Sequence, residues 1–305
     1  MILYWILVLL AGVIAVPIVQ EFTRNGVASR QGEAPGSFAE LPRGTLHYRW
    51  FGPERGPVLV CVHGLTTSSY VWDGMVQGLA LMGYRVLVFD HYGRGYSDRP
   101  FGRQSAAFFV SELEELLAHE SVQGPVTLMG YSMGGAIAAA FAAAHPARCV
   151  RIVLLASAGM QNPPGGLAGV IRTVPVVGDW LMLALYPWIL RKGIAAERGL
   201  PSAVPDIGAK QVAELDVRGF VPAVLSSLRG ILSTPLEDAH RAIHAASIPV
   251  HAIWGAQDAL IPASAHKALG QWNPDAVQDV LEDGTHAITY THADEILALI
   301  RAQAA

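Results

Sequence analysis

The sequence has few charged residues and only two cysteines. Charged side chains make up 15% of its 305 residues, the formal net charge is −4, and no long run of Lys or Arg is present. Because proteins that bind nucleic acid rely on clustered basic residues, we expect no nucleic-acid partner. Cys61 and Cys149 lie in apolar runs without the spacing of metal ligands. We therefore expect buried thiols and no metal site at these two residues.

Apolar residues are abundant instead, at 52% of the chain, and they give it a positive mean hydropathy. This composition is more apolar than that of an average soluble domain, so we expect part of the surface to contact lipid or an apolar substrate. The length suffices for one large α/β domain with an insertion. The sequence shows no internal repeat of fixed period.

The first nineteen residues carry no charged side chain. At a rise of 1.5 Å per residue they would form a helix of about 28 Å, close to the thickness of the hydrocarbon core of a bilayer. Tyr4 and Trp5 stand near one end, where amphipathic rings favour the interface, and Glu21 and Arg24 follow the other end. The sequence therefore predicts a single transmembrane helix over residues 1–20.

Two alternatives to this anchor stay open at this point. A cleaved secretory signal would leave the protein secreted or periplasmic, but no Lys or Arg precedes the apolar run and no A-x-A site ends it. A buried core helix is disfavoured because the segment is apolar all round. Gly, Ser and Pro residues further on predict a linker over 21–43. Arg24 and Arg30 favour a cytoplasmic location for the domain that follows.

From about residue 44 the chain alternates apolar, β-branched runs with amphipathic or Ala-rich stretches. This alternation is typical of βαβ units around a mostly parallel sheet with flanking helices. The predicted strands span residues 46–51, 58–62, 85–89, 126–129, 150–156, 249–254 and 277–281, and the predicted helices span 70–82, 106–119, 133–144 and 293–302.

The stretch 160–246 interrupts this alternation, since it is rich in Pro, Gly, Leu and Trp and shows helical apolar spacing without buried strands. We predict a mainly helical cap there, inserted between the two parts of an α/β core at 44–159 and 247–305. Trp180, Met182 and Tyr186 lie in an apolar helical stretch that is too short to span a bilayer. They are candidates for lining a substrate site, and packing on the core is the alternative.

Residues 130–134 read GYSMG, a Gly-x-Ser-x-Gly pattern that follows an apolar strand and precedes an Ala-rich helix. This strand-turn-helix setting is typical of a nucleophile elbow, in which a strained serine projects its hydroxyl group. Gly130 and Gly134 are needed because a Cβ at either position would clash in so sharp a turn. The pattern therefore predicts Ser132 as a catalytic nucleophile.

A serine hydroxyl needs a base within hydrogen-bond reach and a third group that orients the base. His286 follows the last predicted strand and is the candidate base. Asp258 stands in a turn after the predicted strand 249–254 and is the candidate acid. The alternatives are His266 and His292 for the base and Asp238, Asp279 and Asp283 for the acid.

His63 and Leu65 follow the predicted strand 58–62, where a tight loop can direct a backbone N–H at a reacting carbonyl oxygen. We predict an oxyanion hole formed by the backbone amides of Leu65 and Met133. Met133 begins the helix after the nucleophile, where free N–H groups and the helix dipole favour negative charge. We expect His63 to make structural hydrogen bonds in its loop rather than to transfer a proton.

With these residues, the chain resembles the α/β-hydrolase superfamily over about 44–302, and within it the cap-bearing carboxylesterases and monoacylglycerol-lipase-like serine hydrolases. Residues 90–100 (DHYGRGYSDRP) look like the family's Gly-Arg/His-Gly-x-Ser segment, and residues 254–262 (WGAQDALIP) look like its acid turn. The resemblance implies the α/β-hydrolase fold with a mostly parallel eight-stranded sheet. It also implies a triad in the order Ser, Asp, His and catalysis without a metal or an organic cofactor.

The resemblance and the serine nucleophile together predict a serine hydrolase that cleaves carboxylic esters through an acyl-enzyme. The apolar cap and the anchor favour lipophilic esters, so the expected partners are a small-molecule ester and a membrane. A serine at this position disfavours haloalkane dehalogenases and epoxide hydrolases, which use a carboxylate there. Carbon-carbon bond hydrolases and cofactor-free perhydrolases stay open as alternatives, as does a hydrolase-fold ligand receptor without turnover.

Overall fold

The computed structural model describes residues 1–303 and contains an eight-stranded sheet. In chain order the strands are β1 (Ser37–Leu41), β2 (Gly44–Phe51), β3 (Val58–Val62), β4 (Arg85–Phe89), β5 (Val126–Tyr131), β6 (Cys149–Leu155), β7 (Val250–Gly255) and β8 (Val277–Leu281). The helices are α1 (Ile2–Thr23), α2 (Ala28–Gln31), α3 (Val76–Leu81), α4 (Ala106–His119), α5 (Met133–Ala144), α6 (Gly166–Thr173), α7 (Val177–Ala196), α8 (Ile207–Glu214), α9 (Phe220–Arg229), α10 (Glu237–Ala245), α11 (Ala263–Trp272), α12 (Ile288–Thr291) and α13 (Ala293–Ala302).

The strands of the sheet lie in the order β1-β2-β4-β3-β5-β6-β7-β8. The pairs β1–β2 and β2–β4 are antiparallel, and the remaining five pairs are parallel. The predicted mostly parallel eight-stranded sheet is therefore confirmed. Strands β3, β5 and β7 are almost entirely buried because apolar clusters cover both faces of the sheet. Since the carboxyl ends of parallel strands share one edge, the loops after β3, β5, β7 and β8 meet there.

Strand β1 lies within the region 21–43 that the sequence analysis predicts as a linker. It pairs with β2 in antiparallel register, with Leu41 opposite Gly44 across a tight turn. The prediction is wrong there because β1 is a short edge strand with a single fully buried residue, Ala39, and so it shows little hydrophobic alternation. The predicted helix 70–82 is also divided, into a 3₁₀ turn at Ser69–Trp72 and α3.

Five helices, α6 to α10, lie between β6 and β7. Helices α6, α7 and α9 pack around an apolar cluster of their own, which includes Ile171, Phe220 and Val224. Helix α10 packs instead against α5 and α11, and its Ile243 belongs to the main core. We therefore call α6 to α9 the cap, and its last helix ends at Arg229, earlier than the predicted boundary at 246.

Helix α1 is long and apolar enough to cross a membrane, by its length and composition. Its side chains from residue 2 to residue 9 are exposed, whereas Pro17 and Glu21 are buried against the rest of the protein. The second half of the helix packs against α7 of the cap. A helix of this kind can act as a membrane anchor or as a signal sequence.

Candidate active site

The turn after β5 holds Ser132 in a strained backbone conformation. Its φ of 53° and ψ of −117° lie in a region that residues other than glycine rarely adopt. Its backbone N–H donates to the carbonyl of Leu155 at 2.9 Å, and its own carbonyl accepts from Ala158 N–H at 3.0 Å. These bonds to β6 and the loop after it fix the turn, so the serine side chain stands at the carboxyl edge of the sheet where α5 begins.

Gly134 occupies the tightest position of this elbow. A Cβ built there would lie 1.9 Å from the carbonyl oxygen of Val62 in β3, which cannot move without disturbing the sheet. We expect Gly134→Ala to lower the free energy of unfolding by about 3 kcal/mol or more, measured by urea denaturation. The matched control is Gly193→Ala in α7, where the added Cβ has open space. It should be neutral or stabilise by up to about 1 kcal/mol, and equal effects in the two variants would contradict this explanation.

His286 connects Ser132 to Asp258 through two hydrogen bonds. Its Nε2 lies 3.0 Å from Ser132 Oγ, and its Nδ1 lies 2.7 Å from Asp258 Oδ2. Because an ionised carboxylate only accepts hydrogen bonds, Nδ1 carries the proton and Nε2 is left to accept from the serine hydroxyl. Asp258 lies in the turn after β7 and His286 in the loop after β8, and the parallel strands bring both to the edge at which Ser132 stands.

Further contacts hold the aspartate and the histidine in place. The second oxygen of Asp258, Oδ1, accepts from the backbone N–H groups of Leu260 at 2.7 Å and Ile261 at 2.8 Å. The hydroxyl of Tyr131 donates to the carbonyl of His286 at 3.0 Å, and the two rings pack with centroids 5.4 Å apart. The sequence analysis assigned no role to Tyr131, although an aromatic residue directly before the nucleophile was a usable signal.

The loop after β3 passes directly beside the elbow. A Cβ built on Gly64 would lie 3.4 Å from Ser132 Cβ. His63 Nδ1 donates to the carbonyl of Gly64 at 2.8 Å. Because that carbonyl and the N–H of Leu65 belong to one planar peptide and point in opposite directions, the hydrogen bond fixes the direction of the Leu65 N–H. Met133 is the first residue of α5, so the helix offers its N–H no acceptor.

Arg94 joins this loop to the cap, a role that the sequence analysis did not assign. The fully buried guanidinium donates from Nε to the carbonyl of Leu65 at 3.2 Å, from one terminal nitrogen to Gln104 Oε1 at 2.6 Å and from the other to Ser227 Oγ at 2.8 Å. Ser227 belongs to α9. The loop that carries the candidate oxyanion donor is therefore hydrogen-bonded, through one side chain, to a helix of the cap.

Glu112 and His91 form a fully buried pair next to this loop. His91 Nδ1 lies 2.6 Å from Glu112 Oε2, and the N–H of Tyr92 donates to Glu112 Oε1 at 2.7 Å. Burial raises the pKa of Glu112 to about 8 and lowers the pKa of His91 to about 3. At neutral pH both groups are therefore neutral, and the protonated carboxyl group donates to the imidazole. The backbone N–H of His91 donates in turn to His63 Nε2 at 2.9 Å.

The raised pKa of Glu112 predicts a contribution to stability that is lost as the pH rises. Between its ordinary pKa of 4.5 and the folded value of about 8, the unfolded chain releases a proton that the folded protein keeps. The contribution of Glu112 to the free energy of unfolding therefore falls with rising pH across this range, whereas the lowered pKa of His91 has the opposite effect below its ordinary pKa of 6.5. Glu112→Gln keeps a neutral donor and acceptor at this position. The free energy of unfolding of the variant minus that of wild type should therefore increase by at least about 1 kcal/mol between pH 5 and pH 8, measured by urea denaturation. Glu115→Gln, a partly exposed position on the same helix, is the control, and pH profiles for Glu112→Gln and wild type that run parallel would refute the prediction.

Two of the three predicted substrate-lining residues, Trp180 and Met182, contact α1 and the cap interior. The indole N–H of Trp180 donates to the carbonyl of Ile14 in α1 at 2.9 Å, and Met182 is 3% exposed within the apolar cluster of the cap. Helix α7 thus presents Trp180 to α1 and Met182 to the cap interior, and a role of either residue in lining a substrate site stays a prediction. Burial raises the pKa of Tyr186, and the positive charge of Arg94 opposes this rise, so Tyr186 lies near the buried arginine.

The alternative histidines and acids have partners away from Ser132. The structure gives them the following contacts: His266 with the Trp254 ring, His292 with Asp283, Asp279 with His251, and Asp238 with solvent. Cys61 and Cys149 are buried free thiols, as predicted, and burial raises the pKa of both. Within residues 1–303, no group of three or more His, Cys, Asp or Glu side chains is arranged to hold a metal ion.

Comparison with known protein sequences relates the chain to α/β hydrolases. The model of a family described as the alpha/beta hydrolase fold matches residues 57–186. Cis-3-alkyl-4-alkyloxetan-2-one decarboxylase of Xanthomonas campestris pv. campestris is 36% identical over 121 residues, which cover 37% of this chain and 40% of that enzyme. This chain thus matches less than half the length of that relative. Pimeloyl-[acyl-carrier protein] methyl ester esterase of Vibrio campbellii is 27% identical over 263 residues, which cover 85% of this chain and 98% of that enzyme.

Solved structures agree in fold. The enol-lactonase of Burkholderia xenovorans LB400 is similar with a TM-score of 0.71 and 22% identity, over 87% of this chain and 98% of that one. A membrane phospholipase A, a bacterial virulence factor, is similar with a TM-score of 0.70 and 22% identity, over 98% of this chain and 95% of that one. The family match over part of the chain and the structural similarity over most of it show that the chain has the α/β-hydrolase fold. The proteins to which it is similar include an esterase, an enol-lactonase and a decarboxylase.

Proposed function

We propose that the protein is a serine hydrolase of carboxylic esters, with Ser132 as nucleophile, His286 as general base and Asp258 as the group that orients the base. The observation that carries the proposal is the continuous pair of hydrogen bonds from Ser132 Oγ through His286 to Asp258, at 3.0 and 2.7 Å. Both distances are within reach for proton transfer and for fixing the imidazole tautomer. The similarity to a methyl ester esterase over most of the chain also supports an ester substrate.

In the proposed reaction Ser132 Oγ attacks the ester carbonyl carbon while its proton passes to His286 Nε2. The positive imidazolium is stabilised by the carboxylate of Asp258. The tetrahedral intermediate then collapses, the bond to the alcohol oxygen breaks, and His286 returns the proton to that oxygen. A water molecule, activated in the same way, hydrolyses the acyl-enzyme and restores the serine.

The negative oxygen of the intermediate would be bound by the backbone amides of Leu65 and Met133. The position of Gly64 against Ser132 supports the first donor, and the start of α5 directly after Ser132 supports the second. Two such donors act in a largely buried site, where they stabilise developing charge more strongly than water does.

We further propose that α1 is a retained membrane anchor and that the ester is lipophilic. The apolar side chains of α1 are exposed from residue 2 to residue 9, which favours a lipid environment for them. The side chain of Leu65 packs against the apolar cluster of the cap, so an acyl group near the candidate oxyanion hole would meet an apolar surface. The similar membrane phospholipase A covers 98% of this chain, which includes most of α1, and it is consistent with both proposals.

Turnover of a series of p-nitrophenyl esters by the detergent-solubilised full-length protein tests this function. We expect kcat/KM for an octanoyl ester to exceed that for an acetyl ester at least about tenfold, since each methylene group buried in an apolar site adds binding energy. Absence of turnover across the whole series would reject the esterase. A flat dependence on chain length would reject the lipophilic substrate and leave the esterase in place.

A further inference from the structure

Helix α7 of the cap carries apolar residues on every side, although Asp179, Arg191 and Lys192 are charged, and yet only two of its twenty residues, Gly178 and Met182, are buried. A helix of this composition is normally covered on all sides, by protein or by lipid. One face of α7 packs on the cap cluster through Met182 and Tyr186, and a second face meets α1. The third face carries Val177 and Trp188, which are exposed at 53% and 63%.

The contacts between α1 and α7 show that the two helices run in the same direction. Near the start of α7, Trp180 donates to the carbonyl of Ile14. Further along, Gln20 of α1 and Arg24, the residue directly after α1, line one cavity together with Pro187 and neighbouring residues of α7. The amino-terminal end of α7 therefore lies beside the apolar middle of α1, and its later turns lie beside the polar end of α1.

Backbone contacts fix this alignment. Glu21, which is 5% exposed, accepts from the N–H of Gly219 at 2.6 Å. Asn25 forms a β-bridge with Val217, and its carbonyl accepts from the N–H of Arg218 at 2.9 Å. Helix α1 is thus held to the segment that joins α8 to α9. These contacts fix the position of the cap along the axis of α1.

The position of the cap along α1 corresponds to a depth in the membrane. Ile14 precedes Glu21, the first charged residue of the chain, by seven residues, which is about 10 Å along a helix. If α1 spans the bilayer as proposed above, Trp180 lies about 10 Å below the level at which α1 leaves the apolar region. That is the depth to which interfacial helices enter a leaflet.

We propose that the edge of the cap formed by α6 and the first turns of α7 is inserted into one leaflet of a lipid bilayer, beside α1. This inference rests on the proposed role of α1 as an anchor. Five apolar side chains are exposed along this edge, between 39% and 79%, and would contact acyl chains. They are Leu167, Val170, Val174, Val176 and Val177.

The charged groups along α7 fit the same placement. At the end of α7 that would be inserted, Asp179 is paired with Arg229 at 2.8 Å and also accepts from the N–H of Val176, so its charge is compensated within the protein. Arg172 in α6 donates to the carbonyls of Leu228 and Leu232. The guanidinium groups of Arg229 and Arg172 therefore both have hydrogen-bond partners within the cap.

At the later turns of α7 the exposed residues change to those of a membrane interface. The ammonium group of Lys192 lies 5.2 Å from the centroid of the Trp188 ring. Arg191 lines the cavity between α1 and α7 together with Arg24. Asp216 is the acidic residue that lines this cavity. An exposed tryptophan beside basic side chains is typical of the headgroup level, where anionic lipids add attraction.

Depth-dependent fluorescence quenching tests the inference. Val177→Cys and, as control, Leu81→Cys are labelled with an environment-sensitive fluorophore. Leu81 is 85% exposed on α3, away from the cap, and both native cysteines are buried, so labelling is selective. Full-length protein is reconstituted into phosphatidylcholine and phosphatidylglycerol vesicles that contain lipids with nitroxide groups in their acyl chains. We expect the probe at 177 to be quenched at least about twofold more than the probe at 81.

The other outcomes overturn the inference in distinguishable ways. Protein that floats with the vesicles but shows equal quenching at the two sites would leave the anchor intact and reject the inserted cap edge. Crosslinking between two copies through the cysteine at 177, without quenching, would assign the face to a second copy of the chain. Protein that does not float with vesicles would reject both the anchor and the inserted edge, while ester turnover is measured independently in detergent.

Discussion

Ser132→Ala is expected to lower kcat for an ester by about 10⁵- to 10⁶-fold while the protein stays folded, because the residue that forms the acyl-enzyme is removed. The hydroxyl makes a hydrogen bond only to His286, so its loss removes one partner from a partly exposed group and should change stability little. Turnover of an octanoyl ester and covalent labelling by a fluorophosphonate probe measure the effect, and circular dichroism reports the fold.

The matched control for this variant is Ser233→Ala. The hydroxyl of Ser233 donates to the carbonyl of Gly230 after α9 and does not contact the candidate site. It should keep wild-type labelling and turnover. If Ser132→Ala were labelled and turned over ester as wild type does, Ser132 would not be the nucleophile.

Asp258→Asn is expected to lower kcat by about 10⁴-fold. An amide that keeps its two backbone contacts through its oxygen would present N–H groups to His286 Nδ1, so Nδ1 would become the acceptor. The proton would then lie on Nε2, which could no longer take the proton of Ser132. The two backbone N–H groups that Asp258 accepts can still be satisfied by the amide oxygen, so the fold should persist.

Asp279→Asn is a close control for this second variant. Asp279 accepts from a histidine, His251, at the same distance of 2.7 Å, and the pair joins β7 and β8 as strand neighbours. The change thus removes a carboxylate–histidine contact between β7 and β8, the strands that precede Asp258 and His286, without touching Ser132. A loss of turnover in Asp279→Asn as large as that in Asp258→Asn would mean that the effect comes from the packing of β7 and β8 rather than from the tautomer of His286.

The α/β core could be predicted from the sequence because its pattern is strong and local. The predicted and observed bounds of α5 agree at 133–144, and those of β3, β4, β8, α4 and α13 agree as well. The elbow glycines, the strand before them and the loops after β7 and β8 are each visible within a few residues of sequence. The parallel topology then brings Ser132, Asp258 and His286 into contact, although their catalytic roles stay a proposal.

Features that depend on distant contacts could not be predicted in this way. Arg94 and Ser227 are 133 residues apart, and nothing in the local pattern of either residue indicates that they meet. The edge strand β1 has too few buried residues to give a periodic signal. Trp180 shows the same apolar helical spacing whether it faces a substrate or α1, so only the packing of the cap on α1 decides its partner.

The hydrogen bonds of Arg94 restrict how this protein can be engineered or can diverge. A foreign cap grafted onto the core would remove the hydroxyl of Ser227 and the carbonyl of Ala223, which both accept from the guanidinium. A fully buried cation without those acceptors is costly, and the strain would reach the Leu65 carbonyl that it also holds. Substrate range and reaction rate should therefore change together in cap variants, unless the new cap supplies acceptors for Arg94.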